Sequence, residues 1–339
     1  MKRNGLPLTF LFFIGLFTHL VAQQASDVKF DHLTIEEGLS QSIVNAIAQD
    51  KYGFIWIGTE DGLNRYDGLN VEVFQANPHD YDSTSIADSW ITAIYLSSDK
   101  KLWFCTKNGL SYYHHDTENF VTYRHDPQDS TTIASNSLLS ICEYENDLWI
   151  GTSDAGISRY NKNTQTFTHY RHNENDVRSL PGNQVNALLV DHANALWIGT
   201  DKGLAKYDPV KNHFISYREG ENYRYRLPSD EIRSLYQSGD DILWVGTGGG
   251  GMSRFNKKQT RIINYMKRDN IHEMMKKAGI NVIKEDSRGH FWVGTSQGIL
   301  MKAQGVSERN FTVVKNSLSD PKSLTSNDIS TIFEDSSGL

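Results

Sequence analysis

Short runs of alternating apolar and polar residues recur along this chain at a nearly constant interval. One such run is Val185-Asn-Ala-Leu-Leu-Val190, which predicts a β-strand. The landmark of the interval is a tryptophan in a shared context, an apolar residue before it and usually Ile-Gly-Thr or Val-Gly-Thr after it. These tryptophans, 46 to 48 residues apart, are Trp56, Trp103, Trp149, Trp197, Trp244 and Trp292. The spacing indicates one structural unit that repeats six times.

Each repeat predicts four strands and three turns. The first turn often reads Asp-x-x-Gly, as in Asp50 to Gly53, and the second strand holds the tryptophan. The third strand usually ends in an aromatic residue, and the fourth carries a Phe-x-x-Tyr pair such as Phe167 and Tyr170. No helical pattern intervenes, so the strands form antiparallel meanders. Four-stranded units of this length are typical of an all-β propeller, in which the repeated tryptophans pack between blades.

The two ends of the repeat array predict how the ring closes. Phe30-Asp-His-Leu33 resembles a fourth strand but precedes the first complete repeat. Asp328 to Leu339 opens another repeat and stops two residues before its expected tryptophan. An N-terminal strand that completes the last blade would leave no open sheet edge. We therefore expect a seven-bladed propeller whose last blade is truncated in a chain that continues.

The N-terminus has the pattern of a signal peptide at residues 1–22, followed by the propeller at 23–339. Lys2 and Arg3 precede an almost wholly apolar stretch from Leu6 to Val21, and Ala22 offers a small residue before the polar chain. An uncleaved N-terminal anchor is the alternative. Either interpretation predicts an exported, periplasmic propeller.

Charge and residue chemistry exclude several functions. The net charge of −7 without a basic run excludes nucleic-acid binding by this segment. Cys105 and Cys142 fall in different repeats, and we interpret them as buried small hydrophobes, with a disulfide as the alternative. The histidines lack metal-ligand spacing and no paired acids can be located. We expect no catalytic residue, metal or cofactor here.

The repeat resembles that of the two-component regulator propeller family. The resemblance rests on Asp50 to Leu63, on Asp286 to Ile299, and on the opening Phe30 to Ser40, and it extends over residues 30–339. Cys105 departs from it by replacing the motif glycine, and Lys302 by replacing the third-strand aromatic. The resemblance implies the periplasmic sensor region of a hybrid histidine kinase that responds to oligosaccharides. We also expect a homodimer through the full ectodomain, and a membrane contact only through a downstream part.

Candidate ligand-binding residues lie where the repeat varies on the face of the long inter-blade loops. The position eleven residues before each tryptophan holds Asn45, Thr92, Asn186, Arg233 and Asn281, and Leu139 takes that place in the shorter third repeat. Hydrogen bonding to loop backbone is the alternative role for these side chains.

Three aromatic residues on the same face break the repeat. Trp90 lies at a loop-to-strand junction where other copies have Ser42, Ser137, Gln184 or Glu231, and Tyr223 and Tyr225 lie in the loop before the fifth repeat. Aromatic rings stack on sugars, but these side chains could instead pack loops or face a partner subunit.

The leading functional hypothesis is therefore a non-catalytic propeller that senses oligosaccharides. A protein-binding scaffold is the first alternative, and a polysaccharide lyase or hydrolase is the second.

Overall fold

The computed structural model describes residues 28–77, 79, 84–220, 227–239, 241–256, 261–264, 278–306 and 311–338. A short 3-10 helix, Ile35–Glu37, precedes the first strand. The predicted signal peptide lies outside the described residues. Among those residues, no helix is both long enough and apolar enough to cross a membrane.

The described strands form six antiparallel sheets of four strands each, and within each sheet neighbouring strands are consecutive in the chain. Blades 1 to 3 contain β1 (Val44–Gln49), β2 (Ile55–Thr59), β3 (Leu63–Tyr66) and β4 (Val71–Phe74); β5 (Ile91–Leu96), β6 (Leu102–Thr106), β7 (Gly109–His114) and β8 (Asn119–Tyr123); and β9 (Leu138–Tyr144), β10 (Asp147–Thr152), β11 (Ile157–Asn161) and β12 (Thr166–Tyr170). Blades 4 to 6 contain β13 (Val185–Val190), β14 (Leu196–Thr200), β15 (Gly203–Asp208) and β16 (His213–Tyr217); β17 (Ile232–Gln237), β18 (Ile242–Thr247), β19 (Met252–Asn256) and β20 (Arg261–Asn264); and β21 (Ile280–Glu285), β22 (Phe291–Thr295), β23 (Gly298–Lys302) and β24 (Thr312–Val314).

The first strand of each blade lies at the centre of the molecule. β1 contacts β5, β5 contacts β9, and the series continues through β13 and β17 to β21. This radial order confirms an all-β propeller of four-stranded antiparallel blades. The described residues complete six blades, not seven. Residues 328–338 follow β24 without forming a strand.

The repeated tryptophans pack between blades, as predicted. Trp56, Trp103, Trp149 and Trp197 are at most 2% exposed, Trp244 is buried and Trp292 is half-buried. Trp149 stacks on Tyr170 of its own blade, with ring centroids 5.1 Å apart, and lies 4.8 Å from the ring of Tyr207 in blade 4. These large rings fill the space between twisted sheets, so they belong to the scaffold.

An aspartate in the first turn holds both the turn and the tryptophan. Asp50 Oδ1 accepts from the backbone N–H groups of Tyr52 and Phe54, while its Oδ2 accepts from Trp56 Nε1 at 2.8 Å. The indole groups of Trp197 and Trp292 donate to Asp191 and Asp286 in the same way. One side chain thus supplies acceptors for three N–H groups, which explains the Asp-x-x-Gly pattern.

The motif glycine lets neighbouring blades approach each other. A Cβ atom added at Gly58 would lie 2.5 Å from Ile91 Cγ2, and one at Gly199 would lie 2.6 Å from Ile232 Cγ2, each at the start of the next blade. Blade 2 has Cys105 in place of this glycine. Blade 3, which packs against Cys105, has a first turn that is one residue shorter than in the other blades. Close approach, and not turn conformation, therefore accounts for this glycine.

Both cysteines are buried free thiols, as the small-hydrophobe interpretation predicts. Cys105 packs in the cluster between blades 2 and 3 with Leu138, and Cys142 in the next cluster with Trp149. Burial raises the pKa of both thiols above the usual range, which keeps them protonated and unreactive.

Candidate ligand site at the channel mouth

A β-bulge near the start of every first strand creates the candidate binding position. In β1 the register with β2 shifts between Val44 and Ala46, which leaves Asn45 as the extra residue. The same shift recurs in each of the other five blades, and the extra residues are Thr92, Leu139, Asn186, Arg233 and Asn281. Bulges re-aim side chains. We call the end of the ring where these residues lie the channel mouth.

Three asparagines at the channel mouth tie adjacent blades together. The Nδ2 atoms of Asn45, Asn186 and Asn281 donate to the carbonyl oxygens of Ile91, Ile232 and Ile329, at distances of 3.0, 2.8 and 3.1 Å. Ile91 and Ile232 open the first strands of blades 2 and 5, and Ile329 has the corresponding place in the repeat that follows blade 6. The expected backbone hydrogen bonding is therefore real for these three side chains, and it orients the amide oxygen of each.

Three of the predicted residues come together in one pocket. Asn186, Arg233 and Asn281, from blades 4, 5 and 6, line an open cavity of about 360 Å³ together with Gln184 and Glu231. Gln184 Nε2 donates to Asn186 Oδ1 at 3.0 Å. Gln184 and Glu231 occupy the repeat position of Trp90, and they were not among the predicted ligand-binding residues. This position lies two residues before the bulge, and in blades 4 and 5 its side chains line the same pocket.

An ion pair lies at the centre of this pocket. Arg233 Nε donates to Glu231 Oε1 at 2.8 Å, and both side chains remain more than a third exposed. Arg233 Nη1 also lies 3.4 Å from Asn281 Oδ1. A Cβ atom at Gly248 would collide with the Glu231 carboxylate, and one at Gly279 with the Arg233 guanidinium. Two glycines therefore leave room for this pair.

Trp90 lies at the channel mouth on blade 2. Its side chain is 40% exposed, and Lys107 Nζ lies 5.7 Å from the ring centroid. Its backbone N–H donates to Asp88, as that of Ile43 donates to Gln41 in blade 1. The blade 1 counterpart of Trp90 is therefore the exposed Ile43, and the alignment with Ser42 was wrong by one residue, because the bulge rather than the loop sets the register.

The remaining predicted residues do not join the pocket of blades 4 to 6. Thr92 Oγ1 is buried and has no hydrogen-bond partner. Asn45 donates to the carbonyl oxygen of Ile91 and so joins blade 1 to blade 2. Tyr223 and Tyr225 lie outside the described residues. In the described part of the chain, no three His, Cys, Asp or Glu side chains are grouped to hold a metal ion.

Known proteins resemble this chain in repeat type and in fold. The family model described as two component regulator propeller matches residues 38–61, 179–202 and 226–249. A curated protein of Formosa agariphila, "Histidine kinase P4", is 44% identical over 85 residues, which cover 25% of this chain and 6% of that protein.

Solved structures extend the resemblance over most of the chain. The extracellular domain of a putative hybrid two component system from B. thetaiotaomicron matches with a TM-score of 0.77 and 25% identity, covering 91% of this chain and 39% of that one. A putative one component system of the same organism matches at a TM-score of 0.73 and 21% identity, with coverage of 91% and 38%, and shows the fold alone. The chain thus spans well under half of these relatives. Together with the repeat matches, these likenesses show a propeller that carries two component regulator propeller repeats and resembles the extracellular domain of a putative hybrid two component system.

Proposed function

We propose that this chain is the extracytoplasmic ligand-sensing propeller of a two-component sensor and that its ligand is an oligosaccharide. The observation that carries the proposal is the pocket of blades 4 to 6, where three neighbouring bulges present an ion pair and amides to solvent. A solved structure that is 25% identical to this chain is the extracellular domain of a putative hybrid two component system. In this proposal the propeller binds and does not catalyse, and export by residues 1–22 places it in the periplasm.

The chemistry of the channel mouth fits a sugar. A pyranose has hydroxyl groups around its rim and C–H groups on its faces, so it needs fixed donors and acceptors together with an aromatic surface. Glu231, Arg233 and Asn186 supply polar groups in the pocket of blades 4 to 6, and the exposed ring of Trp90 supplies an aromatic surface at the blade 2 side of the channel mouth. The constant scaffold beneath would let these positions vary without loss of the fold.

We further propose that the ring has seven blades, because one contact between blades recurs on both sides of residues 328–337. In it, a backbone N–H in the first turn of one blade donates to a carboxylate or amide near the end of the next first strand. The four examples are Ser98 to Glu143, His192 to Gln237, Ser287 to Glu334, and Ser336 to Gln49. The last two join residues 328–337 to blade 6 and to blade 1, which supports a blade between them.

A second recurring contact supports Phe30 as part of the outer strand of that blade. In blades 2, 3 and 4, the N–H of the fourth-strand phenylalanine donates to a carbonyl in the loop before the same blade, from Phe120 to Thr84, Phe167 to Thr131 and Phe214 to Arg178. Phe30 N donates to Lys322 O at 2.9 Å, in the loop before residues 328–337. An N-terminal segment would thus close the ring.

Hydrogen exchange of the Phe30 amide tests this closure. We expect peptides that contain Phe30 and peptides that contain Phe120 both to exchange slowly, because loop carbonyls accept from both amides. Exchange of the Phe30 amide at the rate of an unstructured peptide, with Phe120 protected, would contradict a closed ring.

Calorimetric titration of the complete extracellular region with a panel of oligosaccharides tests the proposed function. We expect at least one oligosaccharide to bind, and Arg233→Ala to weaken it by about tenfold or more, since a buried polar contact to a ligand is worth more than 1 kcal/mol. Arg288→Ala is the matched control, because Arg288 is exposed in a first turn at the opposite face. Failure of every oligosaccharide to bind would refute the proposal, and a co-purifying protein would favour the scaffold instead.

A further inference from the structure

The pocket of blades 4 to 6 has a charge balance that restricts its ligand. Arg233 directs Nε to Glu231 at 2.8 Å, so its positive charge is compensated within the protein. Asp328 is a second acid beside the pocket, and its Oδ1 accepts from Asn281 Nδ2 at 3.1 Å. Glu231 and Asp328 are acidic and Arg233 is basic, so these three side chains together carry a net negative formal charge.

Two glycines leave space for the ion pair. Gly248 donates its N–H to the carbonyl oxygen of Glu231 at 2.8 Å, and its missing Cβ leaves space for the carboxylate of that residue. Gly279 leaves corresponding space for the Arg233 guanidinium. The backbone on both sides thus leaves space for the two side chains to meet, and Arg233 would lose this partner if it rotated toward a ligand anion.

We infer that the channel mouth selects uncharged sugars and discriminates against uronic and sulfated ones; this inference rests on the proposed function. A carboxylate accepts hydrogen bonds from two adjacent hydroxyl groups, and a guanidinium and amides donate to ring and hydroxyl oxygens. A neutral vicinal diol can therefore satisfy Glu231, Arg233 and Asn186 together without breaking the ion pair. A ligand carboxylate or sulfate would bring a like charge beside Glu231 and Asp328, which disfavours binding.

Titration with paired neutral and acidic oligosaccharides of equal length tests this inference. For the complete extracellular region, we expect neutral members to bind at least about tenfold more tightly than their acidic partners, with affinity nearly independent of salt. Glu231→Gln removes the compensating charge from Arg233. It should weaken the neutral ligand and strengthen acidic ones by about tenfold, in a manner that salt suppresses.

Glu72→Gln is the matched control, because Glu72 pairs with Arg65 between the two outer strands of blade 1 and should leave both classes of ligand unaffected. Tighter binding of acidic oligosaccharides to the unmodified protein would overturn the inference and leave the sensor function standing. An unchanged preference in Glu231→Gln would also overturn it, whereas the absence of all oligosaccharide binding would refute the proposed function itself.

Discussion

Trp197→Ala is expected to lower the free energy of unfolding by about 3–5 kcal/mol, the usual range for removing a buried tryptophan. Trp197 is 1% exposed and packs 5.3 Å, centroid to centroid, from Phe255 in the next blade. Its Nε1 donates to Asp191 Oδ2 at 2.9 Å, so alanine also leaves a buried carboxylate oxygen without that donor. Urea unfolding followed by far-ultraviolet circular dichroism measures the effect without relying on tryptophan fluorescence.

Trp90→Ala is the control that separates the scaffold tryptophans from the exposed one. Trp90 is 40% exposed at the channel mouth, and its replacement should change the free energy of unfolding by less than about 1 kcal/mol. The same variant should weaken oligosaccharide binding. Equal destabilisation by Trp90→Ala and Trp197→Ala would contradict the assignment of Trp90 to the ligand site.

The second large effect is expected from Gly151→Ala, which should lower the free energy of unfolding by about 1–3 kcal/mol through overpacking. The added Cβ would lie 2.6 Å from Val185 O and 2.7 Å from Val185 Cγ1 at the start of blade 4. A backbone carbonyl cannot rotate away as a side chain can, so the two blades must separate. Urea unfolding again gives the measurement.

Gly239→Ala serves as the control for this prediction. An added Cβ at Gly239 meets nothing within 4 Å, so the same substitution should change the free energy of unfolding by no more than about 0.5 kcal/mol. If Gly151→Ala proved as stable as Gly239→Ala, close approach of the blades would not be the reason for the motif glycine.

Much of the fold follows from the sequence because each repeat solves the same local problems. The turn aspartate of blades 1, 4 and 6 and the glycine two residues after five of the six tryptophans recur for reasons of hydrogen bonding and space. The aromatic pair of the fourth strand recurs in blades 2, 3 and 4. The segment from Phe30 to Leu33 was expected to be a fourth strand, but it forms no strand in the structure. Its Phe30 N–H nevertheless donates to the carbonyl oxygen of Lys322, nearly 300 residues away. The strands of the complete blades were predictable for the same reasons.

The site was predictable only in part. Counting back from the tryptophans located Asn186, Arg233 and Asn281, because the bulge has the same register in blades 4 to 6. The partners Gln184 and Glu231 were not selected, since the sequence does not show that a residue two positions earlier faces the same cavity. Nor does it show that Arg233 is paired with Glu231, which depends on the space left at Gly248 and Gly279.

The most direct test of the central claim is a crystal structure of the complete extracellular region with a bound oligosaccharide. We predict the sugar at the channel mouth, with its hydroxyl groups within hydrogen-bond distance of Glu231 and Arg233 in the pocket between blades 4 and 6. An oligosaccharide bound instead at the face of the Asp-x-x-Gly turns or along the outer strands, with the channel mouth empty, would contradict the account.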